Sequence, residues 1–450
     1  MGVAGPRPSE AIVIGWPTAV LSALAPLRHR NFALIWSAAL LSNIGSWMQT
    51  VAVGILVTAR TGRPGWTGLV AAAGFLPNGL LSPVGGVLAD RLDRRFWLFA
   101  TTVGETVFAV ALTVLAATGR AGPVAVTLLV LGGGAMSAIG FPAYQALLPD
   151  LVPDGQLGAA ISLSSAQYNL GRVIGPALAG LAIVAGGYQW AFAVNALSFM
   201  AVLVALRLVR LPRAAGNRPG ATLGSRLAEG AGAVWRRPGA RFAVMLISVV
   251  ALTASPFIAL VPAVALEVFR SKASGTSVLI TAQGVGAVAG ALAITPLVQR
   301  YGRRRVLIGD LAGLGAALAA YAAAPGLWVG AAALLVVGGC YIGVLAGCNT
   351  IVQINATPQL RGRMLGIYMM ALGILYPVGA TLQGSLANGA GLREVTAGGA
   401  VVLLVAVGAA LLTGLFPADL DRPIPAYPGG LAPEADRPLG PEPPISESVG

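Results

Sequence analysis

Charge is scarce in this chain. Aspartate, glutamate, lysine and arginine together make up 10% of its 450 residues, against about 25% in a soluble globular protein. With 56% of the residues hydrophobic, a soluble fold would have too little polar surface to cover itself, so the chain reads as a polytopic membrane protein. Acids are fewer than bases, 16 against 29, and the net charge is +13. That balance suits a nucleic-acid partner, but the bases fall in short loops between long apolar segments and form no continuous face, which excludes one. A single histidine, His29, excludes a His-rich metal site. The two cysteines, Cys340 and Cys348, would stand ~12 Å apart on one helix, too far to bridge. There is no phosphate loop, catalytic triad or metal-ligand spacing, so neither an enzyme nor a cofactor is expected. Gly284-x-Gly286-x-x-x-Gly290 imitates a dinucleotide loop, but it lies inside an apolar span and reads as helix packing.

What the chain has in quantity is long apolar segments. Twelve of them are read, at 32–58, 66–89, 96–118, 123–148, 157–184, 189–209, 242–266, 275–298, 306–324, 327–352, 364–387 and 396–416. Each is near the ~20 residues that a spanning helix needs. The apolar stretch at 11–25 is shorter and holds Pro17. It reads as an interfacial N-terminal segment rather than a span.

Between the second and third segments stands Gly86-Val-Leu-Ala-Asp90-Arg91-Leu-Asp93-Arg94-Arg95. Its carboxylates and guanidiniums cannot lie in hydrocarbon, so it marks a short loop at a membrane surface. Gly86 precedes Asp90 by about one helical turn, which leaves room for a close helix approach beside a carboxylate at the membrane edge. This Gly-x-x-x-Asp-Arg-x-x-Arg-Arg pattern resembles the loop 2–3 signature of the major facilitator superfamily. The resemblance implies that Asp90 sits against the start of span eleven, near Arg361–Met364, and that Arg94 pairs with Asp150 when the cytoplasmic side closes. Gly171-Arg-Val-Ile-Gly175-Pro176-Ala-Leu-Ala179-Gly180 resembles the helix-5 motif of the family's exporters, with Ala179 replacing one glycine. Pro26-Leu-Arg-His-Arg-Asn-Phe32 and Leu148-Pro149-Asp150-Leu-Val-Pro153 are similar to the branch that holds enterobactin exporters and macrolide efflux pumps.

The opening motif is echoed by Thr295-Pro-Leu-Val-Gln299-Arg300-Tyr-Gly302-Arg303-Arg304, with Gln299 in place of Asp90. The expected fold is therefore all-α, with twelve transmembrane helices in two six-helix pseudo-repeat bundles. The bundles occupy 31–209 and 242–416, preceded by a cytoplasmic or interfacial segment at 1–30 and joined by a basic cytoplasmic linker at 210–241. A tail at 417–450, with nine prolines and six acids, is too polar and too broken to build a core. Placing both termini in the cytoplasm puts 22 of the bases inside and six outside, which fixes the orientation in a bacterial cytoplasmic membrane.

Several residues could carry the work. Arg172 stands ~22 Å into span five, where an arginine costs at least ~2.5–3.5 kcal/mol unless it faces protein or water. It could bind an anionic or phenolic group, or pair structurally with an acid or carbonyls. Glu105 lies near mid-depth and could take up and release a proton, although the resemblance puts its helix at the periphery. Asp310 is expected to pair with the Arg303–Arg305 cluster. Asn43, Gln49, Tyr144 and Gln145 complete the expected pocket. The resemblance implies alternating access in a monomer, with export of a small amphipathic compound (an antibiotic, a siderophore or a related metabolite) by proton antiport. Metabolite uptake, lysolipid flipping and a non-transporting membrane sensor or assembly protein are the alternatives.

Overall fold

Pro64, Pro123 and Pro238 each stand in the first turn of a helix, where the missing N–H costs nothing and the fixed φ suits the helix. In the computed structural model the described residues are 24–153, 155–209, 223–357, 360–416 and 420. Among them are twelve helices long and apolar enough to cross a membrane and no strand. The first six are α1 (Arg30–Thr61), α2 (Pro64–Arg91), α3 (Arg94–Ala117), α4 (Pro123–Leu147), α5 (Leu157–Gly186) and α6 (Tyr188–Leu208). A shorter helix, α7 (Leu223–Trp235), precedes the second six. Those are α8 (Pro238–Val268), α9 (Ala273–Tyr301), α10 (Arg303–Ala323), α11 (Leu327–Ile354), α12 (Arg361–Ala390) and α13 (Leu392–Leu412). α8 is interrupted after Thr253, next to Pro256, and ends in a π turn over Val264–Val268. At the joint between α9 and α10, Gly302 takes φ 83°, a left-handed conformation open to glycine at no steric cost.

The linker expected over 210–241 holds α7, which hydropathy did not reveal. Glu229 forms an ion pair with Arg363 at the start of α12, and Arg237 donates to the Met364 sulfur at 3.1 Å. Gly230 lies where a Cβ would press on the Arg363 backbone. The arginines expected at 210–222, residues 1–23 of the N-terminal segment, and the tail apart from residue 420 lie outside the described residues.

The two halves repeat several of their close glycine contacts. When the starts of equivalent helices are matched, α2 corresponds to α9 and α5 to α12. Gly134 meets Gly74 in the first half, and Gly338 meets Gln283 at the equivalent place in the second. Gly175 packs on Trp47 as Gly379 packs on Pro256. Across the halves, Gly180 packs on Ser277 as Gly384 packs on Gly68. Small residues let these helix backbones approach closely, which is how helices associate where lipid removes the hydrophobic drive.

Candidate functional site

The halves meet along two seams, α5 with α9 and α2 with α12. At the end away from the arginine-rich loops the seams are tight. The Asn388 side-chain oxygen Oδ1 accepts from the Gly65 N–H at 3.1 Å, Gly384 lies on Gly65 and Gly68, and Pro262 of α8 fills the space beside Gly54 of α1. A polar recess of about 390 Å³ lies outside this seal, lined by Arg63, Glu267 and Asn388 among others. Nearer mid-depth, Gly79 crosses Gly373. Beyond that point the contact gives out, and a Cβ at Gly86 would meet no atom within 4 Å. α5 and α9 part in the same sense. Apart from Ala160, their buried residues run from Gln167 to Gly180 and from Gly275 to Ala287, while Ile161, Leu292 and Leu297, nearer the arginine-rich end, are exposed. The result is a cleft closed at one end and open toward the arginines.

Arg172 sits at the apex of that cleft. It is buried and donates through Nη2 to the Gln283 side-chain oxygen of the other half at 3.0 Å. Its Cζ lies 5.7 Å from the Trp47 ring centroid, and Trp47 meets Tyr168 edge-on at 6.0 Å. A guanidinium over an indole gains ~0.5–2 kcal/mol, more when desolvated. Tyr376 occupies the position in α12 equivalent to Arg172 in α5 and meets Phe75 across the second seam at 5.2 Å. Tyr341 lies 5.9 Å from Phe257 and its hydroxyl is 3.1 Å from the Ser255 hydroxyl. The two seams therefore carry a cationic bridge and an aromatic bridge at equal depth. Gln283 Nε2 and the Thr281 hydroxyl are buried without a hydrogen-bond partner among the described residues. Together these groups surround the head of the cleft, a chamber with aromatic rings, one fixed cation and unused polar atoms.

The other expected residues are dispersed. Gln49 accepts from Asn195 at 2.9 Å and so joins α1 to α6 within the first half. Asn43 lies where α1 crosses Gly171 of α5. Tyr144 accepts from Gln167 at 2.8 Å and donates to Ser164 at 3.3 Å, between α4 and α5. Gln145 is exposed on α4. Glu105 is half-buried and bonded to Ser137, in the seam between α3 and α4. Of the helix-5 motif, Gly171 and Gly175 seat α5 on α1, Pro176 is buried, and Gly180 faces the other half. Of the expected residues Arg172 heads the chamber, with Trp47 beside it. Gln283, Tyr341, Tyr376 and Phe75 were not singled out from sequence.

In the loop motif, Arg94 Nη1 stands 3.1 Å from Asp150 Oδ2 and also donates to the Ala146 carbonyl at 3.0 Å. This pair joins α3 to the end of α4 inside one half and is made with the cleft open, so it does not depend on closure. The pair is about one-third exposed on each side, and such pairs contribute ~0–1 kcal/mol. Arg95 donates to the Arg207 carbonyl at 3.1 Å, and Arg91 is exposed. Asp93 caps α3 by accepting from the Phe96 N–H at 2.8 Å. Gly86 faces open space, and the close approach belongs to its neighbour Gly85, which lies against Ile139 of α4. The side chain of Asp90 lies outside the described residues. Asp310 forms no ion pair with the Arg303–Arg305 cluster, contrary to expectation. α10 carries its carboxylate against Gly343 of α11 instead.

Two repeated six-helix bundles around a central cleft define a transporter of the major facilitator class, a multi-pass protein of the bacterial inner membrane and not an enzyme. The chain belongs to the family described as transmembrane secretion effector, whose model matches residues 21–428. It is 30% identical over 411 residues to the multidrug efflux pump Tap of Mycobacterium tuberculosis, covering 87% of this chain and 97% of that protein. It is 23% identical over 400 residues to macrolide efflux protein A of Streptococcus pyogenes, covering 87% and 98%. Among solved structures, an inward-facing, unoccupied bacterial homolog of the human lysosomal transporter Spinster aligns with a TM-score of 0.70 at 15% identity, covering 88% and 99%. The nucleoside transporter NupG aligns with a TM-score of 0.69 at 15% identity, covering 86% and 99%. At that identity these two bear on the fold alone. The bilayer and a small-molecule substrate are the partners that this class requires.

Proposed function

We propose that the protein exports amphipathic drug-like compounds from the cytoplasm by alternating access. The observation that carries this reading is the cleft sealed at one end by inter-half contacts, open at the arginine-rich end, and headed by Arg172 and Gln283 from opposite halves. The basic loops favour a cytoplasmic position for the open end, so substrate would enter the chamber from inside. The efflux relatives support drugs as the cargo class. An arginine that bonds across the seam could be released as substrate takes its place, which would let the outer seal open. Closure at the other end would bring α12 toward Gly86 and Asp90 of α2, where a carboxylate gains ~0.3–1 kcal/mol from a helix N-terminus. Proton entry would drive the cycle, with Glu105 as its candidate carrier, and one copy of the chain would suffice. The test is accumulation of radiolabelled erythromycin and tetracycline in cells with and without the protein. Lower accumulation that collapses when the proton gradient is dissipated supports the reading. Equal accumulation with the well-expressed protein would overturn export, and gradient-independent export would overturn proton drive alone.

A further inference from the structure

On the outer side of the second half, α9, α10 and α11 enclose a groove of about 290 Å³. Its walls are Ala289, Gly290 and Ala293 of α9 and Gly339, Cys340 and Gly343 of α11, with Asp310 of α10 as the one charged group that lines it. Asp310 makes no hydrogen bond or ion pair among the described residues. On α11 the groove lies opposite Tyr341, given ~100° per residue, so it is separate from the central chamber. Leu297 and Val336 at its margin are exposed.

The internal repeat makes the groove informative. At the matching positions of the first half, Leu80, Leu81 and Val84 stand for Ala289, Gly290 and Ala293, while Met136 and Ile139 stand for Cys340 and Gly343. Thr101 stands for Asp310, and its hydroxyl bonds to the Leu98 carbonyl at 3.1 Å. The first half is bulkier at these positions and its hydroxyl is bonded, although at Ile294 and Val336 the order reverses, with Gly85 and Gly132 as counterparts. The other is hollowed and holds a lone carboxylate at membrane depth, where ionisable side chains are costly.

We propose that this groove binds lipophilic organic cations from the bilayer, the apolar body lying along Ala289, Gly290 and Ala293 and the charge on Asp310. A lipid amine fits less well. Asp310 lies seven residues into α10, ~10 Å along the helix, and a phospholipid would have to draw its phosphate to that depth. The groove is outside the cleft, so this assignment goes beyond the export reading and is tested by binding, not transport.

The probe is radiolabelled benzyldimethyloctylammonium, applied to the purified full-length chain in phosphatidylcholine–phosphatidylglycerol nanodiscs. Saturable binding is expected. It should weaken at least tenfold in Asp310→Asn and in Ala289→Phe, which fills the groove while leaving the carboxylate, and it should survive in Asp310→Glu. The uncharged carbon analogue should bind at least tenfold more weakly. Unchanged affinity in a monodisperse Asp310→Asn protein overturns the proposal. If that variant does not fold, unchanged affinity in Ala289→Phe does so. Loss of binding in Arg172→Ala would put the cation in the central chamber, and competition by added phosphatidylethanolamine would make the occupant a lipid amine. Either result ends the assignment.

Discussion

Arg172 is where the energetics of the site are most exposed. A guanidinium at mid-membrane costs ~2.5–3.5 kcal/mol on insertion scales. The charged hydrogen bond to Gln283 returns ~1.5–3 kcal/mol and the Trp47 face ~0.5–2 kcal/mol, so the residue is close to balance. A group so poised can exchange its protein partner for substrate at little net cost. Arg172→Ala should reduce export at least tenfold, read as erythromycin accumulation at matched expression. Arg172→Lys should recover only part of that, because an ammonium lacks the planar face that stacks on Trp47 and the fork that reaches Gln283. Wild-type export in both variants would make Arg172 a packing residue. Asp93 offers a contrast. Its role is a helix cap, so Asp93→Ala should cost ~0.5–2 kcal/mol of stability, visible as a lower melting temperature of the purified protein, and should leave transport per folded molecule unchanged.

At the scale of helices, the seams depend on glycine at repeated places. A Cβ at Gly175 would lie 2.6 Å from the Trp47 Cβ, and one at Gly379 would lie 2.8 Å from the Leu252 carbonyl oxygen. Gly175→Val and Gly379→Val should therefore destabilise the protein by similar amounts, ~1–3 kcal/mol or more for an overpacked site. Thermal unfolding in detergent measures this, and a large effect from one with none from the other would contradict the equivalence of these two contacts. The spanning helices were legible because twenty apolar residues in a row have few other solutions in lipid. α7 was not, since three of its thirteen residues are glycine and its order comes from docking on Arg363. Arg172 was legible as a lone charge, but Gln283 was not. Its partner lies in the other half of the chain, and no local period shows which face of α9 turns inward. The packing of Gly284, Gly286 and Gly290 against other helices followed from their place in an apolar span. The groove did not, because it appears only when α9, α10 and α11 are assembled and compared with their counterparts.

For the whole molecule, alternating access requires that the seal at the end remote from the arginines be broken in every cycle. Gly180 of α5 and Ser277 of α9 belong to that seal and to opposite halves. A Cβ on Gly180 would stand 3.1 Å from the Ser277 Cβ, a few tenths of an ångström short of the ~3.5–4.5 Å found in disulfides. Small relaxation of the seam would admit a bridge. In a background with Cys340 and Cys348 replaced by alanine, the pair Gly180→Cys and Ser277→Cys should crosslink under mild oxidation in membranes. Export should then stop, and reduction should restore it. Each single cysteine should export with or without oxidant, which separates locking from damage. If the crosslinked protein still exports, as judged by accumulation together with a gel shift proving the bridge, then the two halves do not part at that end and the rocking cycle is wrong.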